Sequence, residues 1–323
     1  MFDVIALGES LIDFSPVGTD AYGYPTMAAH PGGAPANYLA ALSRFGAKTA
    51  MFGKVGDDTF GYLLLNTMEK VGISTRGMIK DPKSFTTLAF VTLGENGSRD
   101  FAFARKPGAD TQLQYKEIDL SMLEGCRILH IGTLSLTDEP AREATQKTVA
   151  YAREHGILIS CDPNLRKPLW SNPEEARKQM LWSIGQADIV KISDDEAEFL
   201  WGLNAETAAE KILREFDVKL VFVTCGPSGA YFANRKACGW VDARKDVQPV
   251  DTTGAGDIFG GSAAWKLLSY KTAPDELNRE QLTDIVRFAA AAAGLSTEKF
   301  GGISSVPTLE EVRKKLGTCQ KDN

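Results

Sequence analysis

Short runs of β-branched and aliphatic residues alternate along this chain with longer stretches whose apolar positions recur every three or four residues. Val4 to Gly8, Thr49 to Gly53, Ile128 to Ile131, Ile157 to Cys161, Ile189 to Ile192 and Leu220 to Thr224 predict strands, hydrophobic throughout as strands buried on both faces are. Helical spacing runs through Phe60 to Val71, Ala141 to Glu154, Glu174 to Ile184, Ala205 to Phe216 and Leu282 to Leu295. The alternation predicts an α/β protein in which helices cover both faces of a mainly parallel central sheet. Two stretches break the rhythm. Ile12 to Ala28 and Thr87 to Ala104 alternate polar with apolar residues and carry turn residues such as Glu95-Asn96-Gly97, which predicts hairpins. We read these as a lid, formed by about 12–31 and 86–106 and inserted in a single domain of 1–323.

Chemistry concentrates in two glycine-rich segments, each leading into an apolar helix. Asp251-Thr252-Thr253-Gly254-Ala255-Gly256-Asp257 precedes Ile258 to Leu268, so Gly254 to Asp257 form a first helical turn. The amides of such a turn have no partners within the helix and sit at the positive end of its dipole, where anions bind. Gly254, Ala255 and Gly256 admit phosphate oxygens close to the backbone, and Asp257 adds a carboxylate able to accept a proton from an attacking alcohol. An Asp in a plain Gly-containing turn would explain the same letters. The second segment, Pro31-Gly32-Gly33-Ala34-Pro35-Ala36-Asn37, opens the helical run Tyr38 to Phe45. There Asn37 offers a donor and an acceptor to a polyol.

Together these segments resemble the two signatures of the ribokinase-like carbohydrate kinases of the PfkB family. The resemblance extends from Gly8-Glu9-Ser10-Leu11-Ile12-Asp13 to Phe300-Gly301-Gly302-Ile303-Ser304-Ser305-Val306-Pro307. Within the family it is most similar to fructokinases, through His30 to Asn37, Arg105 to Asp110 and Asp162 to Trp170. It implies the ribokinase-like three-layer sandwich with a small β-sheet lid, and transfer of the γ-phosphoryl group of ATP to D-fructose. A 2-keto-3-deoxygluconate kinase is the enzymatic alternative, because the Asp162-Pro163-Asn164-Leu165-Arg166 segment also occurs in sugar-acid kinases. A non-catalytic sugar- or nucleotide-binding regulator is the alternative of another class; the presence of Asp257 beside an intact Gly254-Ala255-Gly256 run argues against it.

The resemblance also implies residue roles. Asp257 is the base and Gly254, Ala255 and Gly256 cradle the phosphoryl group. Asp13, Gly32, Gly33 and Asn37 contact the sugar; taken alone, Asp13 serves equally as a turn residue. Arg105 and Arg166 are the cationic candidates, with a surface salt bridge as the competing role, more so for Arg105. His30 is a weaker candidate near the sugar. Thr224, Gly226 and Gly229, in Thr224-Cys225-Gly226-Pro227-Ser228-Gly229, match the family's segment beside the ATP phosphates. Lys191-Ile192-Ser193-Asp194-Asp195-Glu196 matches an Asn-x-x-Glu motif with Ser193 in place of Asn. That places Lys191 with the nucleotide and Glu196 behind a magnesium-bound water, while Ser193 has no assigned contact. Magnesium is expected to offset the triphosphate charge. Asp251, Thr253, Gly301 and Ser305 correspond to a potassium site of oxygen donors.

Composition narrows the partners. Lys plus Arg number 36 against 42 Asp plus Glu, a net charge of −6 without a basic block, so neither nucleic acid nor an anionic membrane is expected. No Walker-type G-x-x-x-x-G-K-[ST] run occurs. No apolar run approaches membrane-spanning length, and no basic region precedes the apolar start, so cytoplasmic residence is expected. Cys126, Cys161, Cys225, Cys238 and Cys319 are scattered and read as reduced thiols. Pairing of lid edges between two subunits would give a homodimer.

Overall fold

The structure, a computed structural model, describes residues 1–93 and 99–317. The turn expected at Glu95-Asn96-Gly97 and Cys319 lie outside the described residues. Val4–Leu7 lies inside a large sheet, parallel to Thr49–Gly56 on one side and Ile128–Ile131 on the other. Parallel pairing continues outward through Leu158–Cys161, Ile189–Ser193 and Leu220–Thr224. Two antiparallel strands, Ala230–Asn234 and Cys238–Val241, close that side. Short strands Ile73–Ser74 and Met78–Asp81 pair with the opposite edge at Thr49–Gly56.

In chain order the described helices are α1 (Ala34–Arg44), α2 (Thr59–Lys70), α3 (Ala141–Glu154), α4 (Pro173–Gln186), α5 (Asp194–Trp201), α6 (Ala205–Glu215), α7 (Ala255–Ser269), α8 (Arg279–Ser296) and α9 (Leu309–Lys315). Alternation within the buried strands makes two cores. Val4 and Ala6 face one side with Leu39 and Leu42 of α1, Leu64 of α2, Ile258 of α7 and Ile285 of α8. Ile5 and Leu7 face the other, with Val149 of α3, Met180 of α4, Leu200 of α5 and Ile212 of α6. This is the expected three-layer α/β arrangement.

A separate four-stranded sheet contains Leu11–Thr19, Pro25–Gly32, Leu88–Leu93 and Arg99–Ala104. Leu11–Thr19 pairs antiparallel with Pro25–Gly32 and parallel with Leu88–Leu93, so both irregular stretches of sequence meet in one sheet. Its edge strand Pro25–Gly32 leaves one row of backbone groups without ladder partners. Among the described residues no helix is long and apolar enough to cross a membrane.

The main departures lie at helix starts. α1 begins at Ala34 rather than Tyr38, because Pro35 in its first turn is compatible with helix and Gly33 supplies the preceding turn. α5 is a further helix, started by a capping box in which the Ser193 hydroxyl accepts from the Glu196 amide and Glu196 Oε2 from the Ser193 amide. Ser193 thus acquires a definite local role, as the N-cap. His155 ends α3 as expected, its Nδ1 2.8 Å from the Tyr151 carbonyl.

Candidate active site

The carboxyl ends of the parallel strands open onto a cleft of about 400 Å3, where open α/β sheets bind ligands. Asp13, Gly33, Asn37, Arg166, Lys191, Glu196, Thr224, Thr253, Gly254, Gly256 and Asp257 all line it. The two glycine-led helices point their N-termini at this cleft. Gly254, at φ +75°, turns the chain into α7; Gly254 and Gly256 line the cleft, whereas the Ala255 amide donates to the Thr252 carbonyl at 3.2 Å. Gly33, at φ +110°, likewise turns the chain into α1; a Cβ there would lie 2.6 Å from the Glu9 carbonyl oxygen.

Asp257 sits in the first turn of α7 and accepts a 2.8 Å hydrogen bond from Asn37 Nδ2. Desolvation raises its pKa to about 6, reinforced by Asp162 and opposed by Asn37, Lys191 and Arg166. Asp13 is raised to about 7, again first by desolvation, with Arg166 opposing and Asp257 and Asp251 reinforcing. Gly32 lies beneath it: a Cβ there would come within 2.5 Å of Asp13 Oδ2. Gly32 therefore makes room for the Asp13 carboxylate and is not itself among the lining residues.

Lys191 Nζ forms a 3.0 Å ion pair with Asp162, and a Cβ on Gly256 would lie 3.0 Å from the same ammonium. The cation is thus held against the first turn of α7. Burial alone would push its pKa down; Asp162, Glu196 and Asp257 outweigh burial and raise it. Glu196 is 7% exposed, and its Oε1 accepts the Leu165 amide at 2.7 Å. Burial raises its pKa, with Asp162 adding to the effect. Arg166 reaches the cleft through a tight loop in which Asn164, at φ +46°, donates its amide to Asp162 Oδ1.

Thr224 ends its strand at the cleft, whereas Gly226 and Gly229 lie in the following turn, outside the lining residues. A Cβ on Gly229 would lie 2.2 Å from the Val241 carbonyl oxygen, so that glycine permits the antiparallel edge strands to close. Asp251 ties the start of its own segment to the Gly301 loop: Oδ1 accepts the amide and hydroxyl of Thr253, and Oδ2 the Gly301 amide at 2.9 Å. The buried Ser305 hydroxyl donates to the Gly302 carbonyl at 2.9 Å. His30 packs against Gly301 and is not among the lining residues.

Arg105 departs from its expected place at the sugar. Its guanidinium, 3% exposed, donates to Asp110, the Thr137 hydroxyl and the Leu134 carbonyl. A buried guanidinium needs such a matched acceptor set, and forming it draws the side chain below the cleft. Arg105→Leu is expected to destabilise the fold by about 3–5 kcal/mol by leaving Asp110 buried and unpaired. Thermal melts would show the loss, and a sugar KM raised about tenfold or more in the folded variant would return Arg105 to the binding site.

Glu9, Phe103, Leu134 and Asn164 also line the cleft without having been singled out from sequence. Glu9 Oε1 accepts the Ala34 amide at 3.1 Å, capping α1 from outside the helix. Burial raises its carboxyl to about 7, with Arg105 among the opposing influences. The position of Glu9 directly after a strand within Gly8-Glu9-Ser10 was a usable signal. Phe103 had none, being one of several aromatics in an alternating strand.

A cleft at the strand ends, walled by a helix-start amide cradle and a carboxylate beside it, is the arrangement of a small-molecule phosphotransferase. Residues 1–309 match the pfkB family of carbohydrate kinases, and the chain belongs to that family. It is 40% identical over 311 residues to fructokinase-2 of Solanum lycopersicum, covering 95% of this chain and 94% of that protein. The fructokinase of Xylella fastidiosa with bound ATP superposes with a TM-score of 0.89 at 28% identity, covering 98% and 99% of the two chains. A double mutant of the Vibrio cholerae fructokinase, bound to fructose, ADP and potassium, superposes with a TM-score of 0.85 at 30% identity, covering 98% of each.

Proposed function

We propose that this kinase transfers the γ-phosphoryl group of ATP to the terminal hydroxyl of D-fructose, giving fructose 6-phosphate. The observation carrying the reading is the convergence of Asp13, Arg166, Lys191 and Asp257 on one cleft at the start of α7. The fructokinase relatives supply the choice of sugar.

Asp13 accepts sugar hydroxyls, Gly33 and Asn37 continue that wall, and Arg166 fixes a hydroxyl or phosphoryl oxygen. The nucleotide phosphates extend past Thr224, Gly226 and Gly229 toward the amides of Gly254, Ala255 and Gly256. As the sugar oxygen bonds to the γ-phosphorus and the bond to the β–γ bridging oxygen breaks, the hydroxyl proton passes to Asp257. ADP carries the displaced oxygen, and the amides with Lys191 take up charge on the transferring group. No phosphoenzyme forms. The four-stranded sheet of Leu11–Thr19, Pro25–Gly32, Leu88–Leu93 and Arg99–Ala104 acts as the lid within the single domain; Leu11 and Phe103 bring apolar surface to the cleft and exclude water.

Magnesium supplies neutralisation of the triphosphate when bound. Glu196 fits an indirect role: each oxygen accepts one backbone amide, which leaves lone-pair capacity for a metal-bound water. Asp251, the Thr253 and Gly301 carbonyls and Ser305 would hold potassium; the structure draws these segments together and all the donors are hard oxygen ligands. The enzyme works in the cytoplasm, and pairing through the lid edge Pro25–Gly32 would make it a homodimer.

ADP formation from Mg-ATP with fructose, 2-keto-3-deoxygluconate, ribose, glucose or mannose, with and without potassium, tests this reading. Fructose is expected to lead. A lead by the sugar acid would transfer the substrate to the keto-acid alternative, and ligand-dependent melting without turnover on any sugar would make the protein a binder.

A further inference from the structure

We propose that Asn37 is the positioning residue of the base: clamped between Gly254 and Gly302, it holds one oxygen of Asp257 so that the other meets the sugar hydroxyl. The proposal rests on the reading of Asp257 as base and adds a function to Asn37 beyond sugar contact.

The geometry is that of a clamp. Asn37 is 3% exposed and spans from α1 to α7, its Nδ2 donating to Asp257 Oδ2 at 2.8 Å. A Cβ on Gly302 would lie 2.2 Å from Asn37 Oδ1, and one on Gly254 would lie 3.1 Å from Nδ2. Two adjoining glycines thus leave the Asn37 amide no spare room: a Cβ on Gly254 would also lie 3.0 Å from Gly302 Cα. Reversing the amide would oppose two oxygens across the 2.8 Å contact, so the carboxylate dictates its orientation.

The helices carrying the pair are also locked together. A Cβ on Gly261 of α7 would lie 2.2 Å from the Tyr38 carbonyl oxygen of α1. On its other side the Tyr38 ring stacks on His130 at 3.6 Å. Asn37 and Asp257 thus belong to one rigid unit, as a preorganised base requires. Asn37 fixes the carboxylate through Oδ2, which sets the direction in which Oδ1 is presented to the proton. The second hydrogen on Nδ2 remains able to reach the sugar, so this role and substrate contact are compatible.

Gly302 is not itself among the cleft-lining residues and supplies a test that reaches the site through Asn37. At φ −82° and ψ −74° it occupies right-handed helical space open to alanine, and the three nearest atoms to an added Cβ all belong to Asn37. Asn37→Ala, Gly302→Ala and the double variant would be compared with wild type at saturating Mg-ATP and potassium chloride. Each single change is expected to lower kcat about 100-fold, the cost of displacing a catalytic group by roughly an ångström. Because Asn37 also lines the sugar wall, fructose Kd by calorimetry is expected to rise, by less than about tenfold, and the kcat loss at saturating fructose is the readout of positioning. The double variant should be no slower than Asn37→Ala, since removing the amide gives the new methyl group room.

Asn37→Ala should also move the acidic limb of kcat/KM to higher pH, because the lost hydrogen bond favours ionised Asp257. Asp162 and Asp13 oppose that ionisation, whereas Lys191 and Arg166 favour it, and all four remain in the variant. A tenfold or larger rise in fructose Kd at unchanged kcat would make Asn37 a sugar ligand only and overturn the proposal. Unchanged kcat in Gly302→Ala, or additive losses in the double variant, would overturn the clamp. Should wild type turn over none of the sugars, the function reading fails instead; an Asp257 carboxyl resonance that titrates identically in wild type and Asn37→Ala would then overturn the clamp independently.

Discussion

Asp257→Asn is expected to lower kcat about 100- to 10,000-fold, the range contributed by a positioned general base. The amide keeps the shape of the side chain and the α7 cradle, so fructose measured by calorimetry should still bind. In wild type, kcat/KM should rise with pH through about 6 as Asp257 loses its proton, and the residual activity of the variant should lack that limb. Residual kcat within about tenfold of wild type would show that Asp257 is not the base.

The same substitution should raise Tm at neutral pH. Burial lifts the folded-state pKa of Asp257 from 3.8 to about 6, so folding is opposed wherever the unfolded chain carries this carboxylate ionised. Between about pH 4 and 6 the folded state retains a proton that the unfolded state has released. This group's penalty therefore grows as pH rises through that window and vanishes below it. The gain from asparagine should follow the same course, fully present above pH 6 and absent below pH 4. Its absence throughout would contradict desolvation as the cause.

The second large effect is expected from Lys191→Met, which keeps most of the side-chain volume and removes the ammonium. Glu9, Asp13, Glu196 and Asp257 line the cleft and Asp162 underlies it, against Lys191 and Arg166. With the ion pair broken, Asp162 is left buried without its cation, a loss of about 3–5 kcal/mol that should appear as a lowered Tm. Loss of charge from the first turn of α7 should also lower kcat about 100-fold in molecules that remain folded. The acidic limb should move to higher pH, since Lys191 favours ionised Asp257. Normal kcat and an unmoved limb, measured well below the variant's Tm, would reduce Lys191 to a structural partner of Asp162.

Much of this site is legible in one dimension because the helix-start motifs are local. The amides of Gly254 to Asp257 and the turn at Gly33 need only neighbours in sequence to acquire their geometry. The parallel strands are similarly plain, since burial on both faces leaves long hydrophobic runs. The antiparallel edge strand Cys238–Val241 carries no such uniform signal: Cys238 and Trp240 are exposed, whereas Gly239 is buried. Arg105 shows the limit for charged groups. Its sequence neighbours suit a substrate cation equally well, and the choice was made by Asp110, Thr137 and Leu134 meeting around it.

By itself, the sequence determined the family, the layered α/β architecture, the two glycine-led helix starts and Asp257 beside one of them, because periodicity and motif spacing are encoded by near neighbours. Tertiary structure alone decided that Asn37 holds Asp257, that Lys191 joins Asp162 beneath α7, and that Gly302 closes on the Asn37 amide. Each of those contacts joins segments distant in the chain. Hydrogen-bond reach and steric exclusion act over a few ångströms of space, and only folding brings such partners within that range.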